Sequence, residues 1–231
     1  MLVLIAVAVV AAAWYSWYRK QERREALASF AARNGLKYSM VDPFGILSYN
    51  FHLLRMGDGR GCENVLSGTW ENIPVLEADY WYYTESTDSR GNTTRSYKKF
   101  SALIAELELD LPHASAHRET LFSRLADHLG FHDIDFESED FNREFQVQAE
   151  NREFAFQLID ARMMQWMLSS GDGFGFEVMG SNVLVYGGRM SPPELPALFG
   201  KAVGFRDHVP RLVWNEYGTN RRQMPEGRSA P

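Results

Sequence analysis

The chain has 231 residues, of which 45% are hydrophobic and 23% charged, the values of an ordinary globular protein with enough material for one or two cores. A formal net charge of −6, with basic residues grouped only behind the N-terminal segment, excludes a nucleic-acid binder. The single cysteine, Cys62, excludes an internal disulfide and any zinc-finger spacing.

Residues 1–18, MLVLIAVAVVAAAWYSWY, contain no charged side chain and predict a transmembrane helix. At about 1.5 Å per residue they extend roughly 27 Å, which suffices for a slightly thinned bilayer. Trp14, Tyr15, Trp17 and Tyr18 stand where an aromatic belt belongs, and Arg19, Lys20, Arg23 and Arg24 follow. The positive-inside rule then places the chain in the inner membrane as a single-pass protein with its soluble part in the cytoplasm. A cleaved signal peptide is the competing reading, with Ala11, Ala12 and Ala13 as small residues for cleavage. The basic residues, however, lie behind the apolar run instead of before it. No Gly or Pro occurs between Leu2 and Asn34, so the span is expected to continue as a stalk helix over residues 19–35, ending at Gly35.

Residues 36–111 read as a β-meander subdomain. A short strand is expected at 36–41 and a glycine turn at 57–61, GDGRG, which lacks the Lys-Ser/Thr of a P-loop. Strands follow at 62–70, 73–84 and 97–109, joined by a tight Glu71-Asn72 connection and a polar hairpin tip over 85–94. In the last strand Leu103, Ala105, Leu107 and Leu109 alternate with Ile104, Glu106, Glu108 and Asp110. One face is therefore buried and the other wet over its second half.

Residues 112–213 read as a second α+β subdomain, with a boundary near Pro112. The pattern predicts a helix over 115–129, an acidic connector, a strand over 145–149 and a strand or short helix over 153–158. Asp160 caps a helix over 161–169 that Gly171 closes. A hairpin is expected over 174–186 with Gly180-Ser181 as its turn, then a last helix over 194–205 introduced by Pro192 and Pro193. Residues 214–231 are expected to be a disordered tail. The fold class expected is α+β: an antiparallel sheet packed against several helices.

Residues 141–168, FNREFQVQAENREFAFQLIDARMMQWML, resemble a group of uncharacterised bacterial proteins that have an N-terminal membrane span and a soluble α+β domain of unknown function. Residues 64–83, NVLSGTWENIPVLEADYWYY, fit the same group. The resemblance implies the architecture. It brings no activity, cofactor or catalytic residue.

Candidate chemistry is sparse. His113 and His117, like His128 and His132, are four apart, but Pro112 and Gly130 keep either pair off a single helix face. The acidic run Asp133, Asp135, Glu137, Glu139 and Asp140 lacks the glycine of a calcium loop and reads as a solvated connector. Cys62 reads as a small strand residue, and Met163, Met164, Met167 and Leu168 as core. No G-x-S-x-G elbow occurs, and no cofactor, metal or catalytic residue is assigned. The candidate interaction surface is aromatic: Trp70, Tyr80, Trp81, Tyr82 and Tyr83, which must occupy both faces of a hairpin, and Trp166. The function expected is a membrane-tethered module without catalytic activity that binds a protein partner or the inner leaflet. The alternatives are a ligand or lipid pocket between the Tyr80 strand and the Met163 helix, and an enzyme whose site is assembled from distant residues.

Overall fold

A computed structural model describes residues 1–118, 132–171 and 173–219. It is an α+β protein in which helices pack on a seven-stranded sheet whose named pairs are all antiparallel. Helix α1 spans Leu2–Arg33 without a break. The strands are β1 (Lys37–Ser39), β2 (Gly59–Trp70), β3 (Ile73–Thr87), β4 (Thr93–Arg118), β5 (His132–Asp133), β6 (Phe145–Ala149) and β7 (Phe174–Gly188). The remaining helices are α2 (Glu139–Glu144), α3 (Arg152–Leu158), α4 (Ala161–Ser169), α5 (Leu195–His208) and α6 (Arg211–Tyr217).

Helix α1 is uninterrupted because nothing in it breaks a helix. It ends where Asn34 N–H turns back to the carbonyls of Phe30 and Ala31 and Gly35 takes φ 68°. Leu27, Phe30 and Ala31 are buried against the sheet, whereas described residues from Leu4 to Lys20 are all exposed. The apolar half of α1 thus projects from the domain. Among the described residues, no helix is long and apolar enough to cross a membrane.

Strand β4 organises the rest. It runs 26 residues, far beyond the usual five or six, and its register with β7 shifts between Glu106 and Ala114. Its first half lies between β3 and the second half of β7; its second half lies between β6 and the first half of β7. The subdomain boundary expected at Pro112 is absent, because β4 passes straight through that residue. The hairpin expected at Gly180-Ser181 is one continuous strand. Gly180, at φ 58° opposite Leu111, supplies a bulge and not a turn. Of the helix expected over 115–129, Ser115 to Arg118 are instead the end of β4 paired with β6 and β7; the remainder lies outside the described residues. Part of the expected tail is helical: α6 buries Val213 and packs Trp214 and Tyr217 on the core.

The sheet separates two apolar clusters. One face carries the main core, with α1, α3, α4, α5 and α6 against Leu66, Val75, Leu103 and Val185. The other carries Tyr80, Tyr82, Phe100 and Tyr186 under the segment from Ile46 to Leu54.

Candidate functional site

Along β3, residues Ile73, Val75, Glu77, Asp79, Trp81 and Tyr83 share the face that α1 crosses. The chemistry of that face changes along the strand. Ile73 and Val75 belong to the core, Glu77 and Asp79 form a buried ionic layer, and Trp81 and Tyr83 are half-exposed. Pairing with β4 sets Ser101 beside Asp79, Lys99 beside Trp81 and Tyr97 beside Tyr83. Phe30 of α1 stacks on Trp70 at the far end of this gradient, while Arg23 reaches the ionic layer. The exposed half of α1 and the β3–β4 turn therefore lie at the same end of the sheet.

Asp79, 3% exposed, is the hub of the ionic layer. Arg23 donates to it from Nε at 2.7 Å and from Nη2 at 2.5 Å, with Nη1 donating to the Met190 carbonyl at 2.8 Å. Arg189, beyond β7, donates from Nη2 at 2.8 Å and from Nε at 3.3 Å, and Asn64 Nδ2 donates at 2.8 Å. Burial pushes the Asp79 carboxyl up, but hydrogen bonds and charge from Arg23 and Arg189 outweigh it and hold the group below the usual carboxylate range. One carboxylate thus ties α1 to β3 and to the end of β7. Glu77, two residues earlier and 1% exposed, has no such pair. Burial, then the charge of Asp79, push it well above the usual range, and Ser101 and the two arginines offset only part of this.

Between α1 and the β3–β4 hairpin lies a cleft of about 560 Å³, lined among others by Lys20, Cys62, Glu63, Trp81, Tyr97, Lys99 and Arg189. Lys20, Lys99 and Arg189 also border a second hollow, of about 710 Å³, that runs along α1 past Arg19 to Tyr15. The aromatic floor has a local cause in β2. A Cβ on Gly61 would stand 2.7 Å from the Trp81 ring, and one on Gly59 2.4 Å from the Tyr83 ring. These glycines let the rings lie flat on the neighbouring strand. Trp81, Tyr83 and Tyr97 then contact one another with centroids 5.3–6.4 Å apart, and Arg95 sits over Tyr83 at 4.6 Å. Of the expected turn at 57–61, Gly59 to Gly61 are strand residues.

The structure divides the expected aromatic surface. Trp81 lines the cleft, and Tyr83 lies beside it on the same face of β3. Tyr80 and Tyr82 point to the opposite face and are buried, Tyr80 donating its hydroxyl to the Leu53 carbonyl at 2.7 Å. Trp70 packs between Phe30 and Phe199. Trp166, expected to face outward, lies over Gly204 and stacks on His208; only a glycine leaves room for its ring there. Met163 and Met167 are in the main core and Tyr80 in the cluster on the other face of the sheet. Tyr97, 52% exposed, with Lys99, Lys20 and the Arg23–Asp79–Arg189 cluster, completes the site and was absent from the expected set. The signal was the hairpin register: centring the turn on Asp88 to Asn92 places Tyr97 and Lys99 across from Tyr83 and Trp81.

Other reactive types are held in structural roles. His113 and His117 lie on β4, not on a helix. His113 Nε2 meets Glu177 Oε1 at 2.5 Å, and Glu177 also accepts from the backbone N–H groups of His52 and Leu53, fixing the loop that covers the second cluster. His117 is buried and its pKa falls to about 4, mainly by burial. His128 lies outside the described residues. Burial and the adjacent Asp42 push the Cys62 thiol up to about 12, which leaves it unreactive near neutrality. In the acidic connector Ile134 and Phe136 are buried, Asp133 accepts from Gln148, and Ser138 caps α2. Among the described residues no group of three or more His, Cys, Asp or Glu side chains is placed to hold a metal ion. A groove of about 700 Å³ at Arg152, Phe156, Pro210 and Leu212 is apolar and gathers no comparable set of cations.

The fold defines an α+β protein built on an antiparallel sheet with a projecting N-terminal helix. No protein-family model matches the chain, and comparison with the curated proteins finds no match. Among solved structures it is similar to the crystal structure of the mycobacterial trehalose monomycolate transport factor A, TtfA. The TM-score is 0.60 and the sequence identity 11%, over 81% of this chain and 96% of that one. The likeness is one of fold.

Proposed function

We propose that the chain is a membrane-tethered interaction module without catalytic activity. Its N-terminal helix enters the bilayer, and its domain engages a partner or the leaflet beside the tether. The observation that carries this is the division of α1. Leu4, Ile5, Val7, Val9 and Val10 are between 52% and 74% exposed and touch no core, while Arg23 to Ala31 are clamped to the sheet. A continuous apolar helix surface without a cover in its own fold marks a membrane or partner contact. Residues 4–18 extend about 22 Å, most of a hydrocarbon core, so the fit requires local thinning of the bilayer. In this reading Trp14, Tyr15, Trp17 and Tyr18 sit at the interface, and Arg19 and Lys20 favour the cytoplasmic side of the inner membrane for the domain. The likeness to a protein named as a trehalose monomycolate transport factor supports a role beside lipids, at the level of fold.

Alkaline carbonate extraction of membranes from cells making the full-length chain tests the tether. The protein should remain in the pellet, and a Val7→Lys/Val10→Lys variant should move to the supernatant. Wild-type protein in the supernatant would overturn the reading.

A further inference from the structure

The cleft beside α1 is a local reversal of charge on a protein of net charge −6. The two acids in its lining are already paired: Asp79 with Arg23 and Arg189, and Glu63 with Arg24 at 3.9 Å. Lys20 and Lys99 are exposed, and among the described residues neither ammonium has a hydrogen bond or an ion pair. They share the cleft with Arg189, whose guanidinium is held in place by Asp79. Below these cations lie the half-exposed Trp81 and the exposed Tyr97, an aromatic surface with no cover. The second hollow carries this surface along α1 to Tyr15, three residues before the end of the apolar run.

We infer that this cleft binds the headgroup of an anionic phospholipid, with Lys20, Lys99 and Arg189 around the phosphate and Trp81 and Tyr97 against the glycerol end. The inference rests on the membrane-tethered reading, because it is α1 that would bring the cleft to the leaflet. Lys20 stands only about 3 Å along the helix from Tyr18, the last residue of the belt. Charge-assisted hydrogen bonds from Arg and Lys suit phosphate oxygens, and aromatic rings suit the boundary between apolar and wet groups. A choline headgroup would bring a fixed cation against Lys20 and Lys99 and is disfavoured.

The test uses the full chain in a nonionic detergent, titrated with dihexanoyl phosphatidylglycerol below its own micelle concentration and read by calorimetry. Binding of the phosphatidylglycerol at least about tenfold tighter than of dihexanoyl phosphatidylcholine, and a Lys20→Ala/Lys99→Ala variant weakened by about tenfold or more, would support the site. The variant should melt with the wild type, since neither side chain has a partner to lose, so the loss is not one of folding. A Trp81→Leu variant should weaken binding as well. Equal affinity for the two lipids, or affinity unchanged in Lys20→Ala/Lys99→Ala, overturns the proposal. Inorganic phosphate binding as tightly as the lipid overturns it too, in favour of a soluble-anion site. The detergent assay does not need the tether, so release of the protein by carbonate would sink the tethered reading and leave this result standing.

Discussion

Removing Arg23 should loosen α1 from the sheet. Its guanidinium makes a two-point contact with Asp79 and a third hydrogen bond to Met190, and the ion pair is largely shielded, with side-chain exposures of 16% and 4%. Removing one partner of a buried pair costs about 3–5 kcal/mol. Asp79 keeps Arg189 and Asn64 here, so the lower end applies, and Arg23→Ala should cost about 3 kcal/mol, or about 6–12 °C in Tm for a chain of this size. Arg23→Lys keeps the charge and loses the two-point geometry, and should fall in between. A double-mutant cycle with Asp79→Ala, followed by circular dichroism on the full chain in detergent, should give a coupling above about 1.5 kcal/mol. The pH dependence has a defined sign. The folded pKa of Asp79 is lowered, so its contribution is present above the unfolded value of about 3.9 and lost as pH falls through the folded value. Arg23→Ala should shrink that acid loss. A Tm within about 1 °C of wild type, with coupling under about 0.5 kcal/mol, would refute the claim that Arg23 ties α1 to the sheet.

Glu77 has the opposite sign. Its folded pKa is raised, so it favours folding below the unfolded value of about 4.3 and that advantage fades as pH rises. Glu77→Gln should raise stability at pH 7 in urea unfolding and do little at pH 4; no gain at pH 7 would contradict the burial argument. For His117, lowered to about 4, stability is complete above about 6.5 and falls by about 3 kcal/mol as the pH drops to 4. An NMR titration should find this ring neutral at pH 5.5, and a midpoint near 6.5 would show it is not buried. Gly61→Ala puts a methyl group against the Trp81 ring and should cost about 1–2 kcal/mol and displace tryptophan emission. An unchanged spectrum would mean that the ring does not lie on β2.

The elements with strong local signals were legible in the sequence. Helix α1 has no breaker, Asp160 caps α4 by accepting from Met163 N–H, and Glu71-Asn72 turns the chain with φ of 45° and 64°. What failed was decided between strands. Gly180 looks the same in a turn and in a bulge, and only its pairing with Leu111 on β4 tells them apart. Pro112 looks like a boundary, yet β4 carries it between its pairings with the two halves of β7. The site was half legible for the same reason. Alternation separates Trp81 and Tyr83 from Tyr80 and Tyr82, but which pair is covered depends on the loop from Ile46 to Leu54. The link from Arg23 to Asp79 spans 56 positions and leaves no local trace, and the basic run behind the apolar segment gives Arg23 and Arg24 to the fold.

The orientation of the domain against the bilayer is the central claim, and lipid-attached quenchers test it most directly. Two probes on a Cys62→Ser background, at Thr94→Cys near the β3–β4 turn and Thr69→Cys near the Glu71-Asn72 turn, mark opposite ends of the sheet. With the full chain in liposomes carrying headgroup nitroxides, the probe at position 94 should be strongly quenched and the one at position 69 should not. Equal quenching at both, or stronger quenching at 69, would contradict the account.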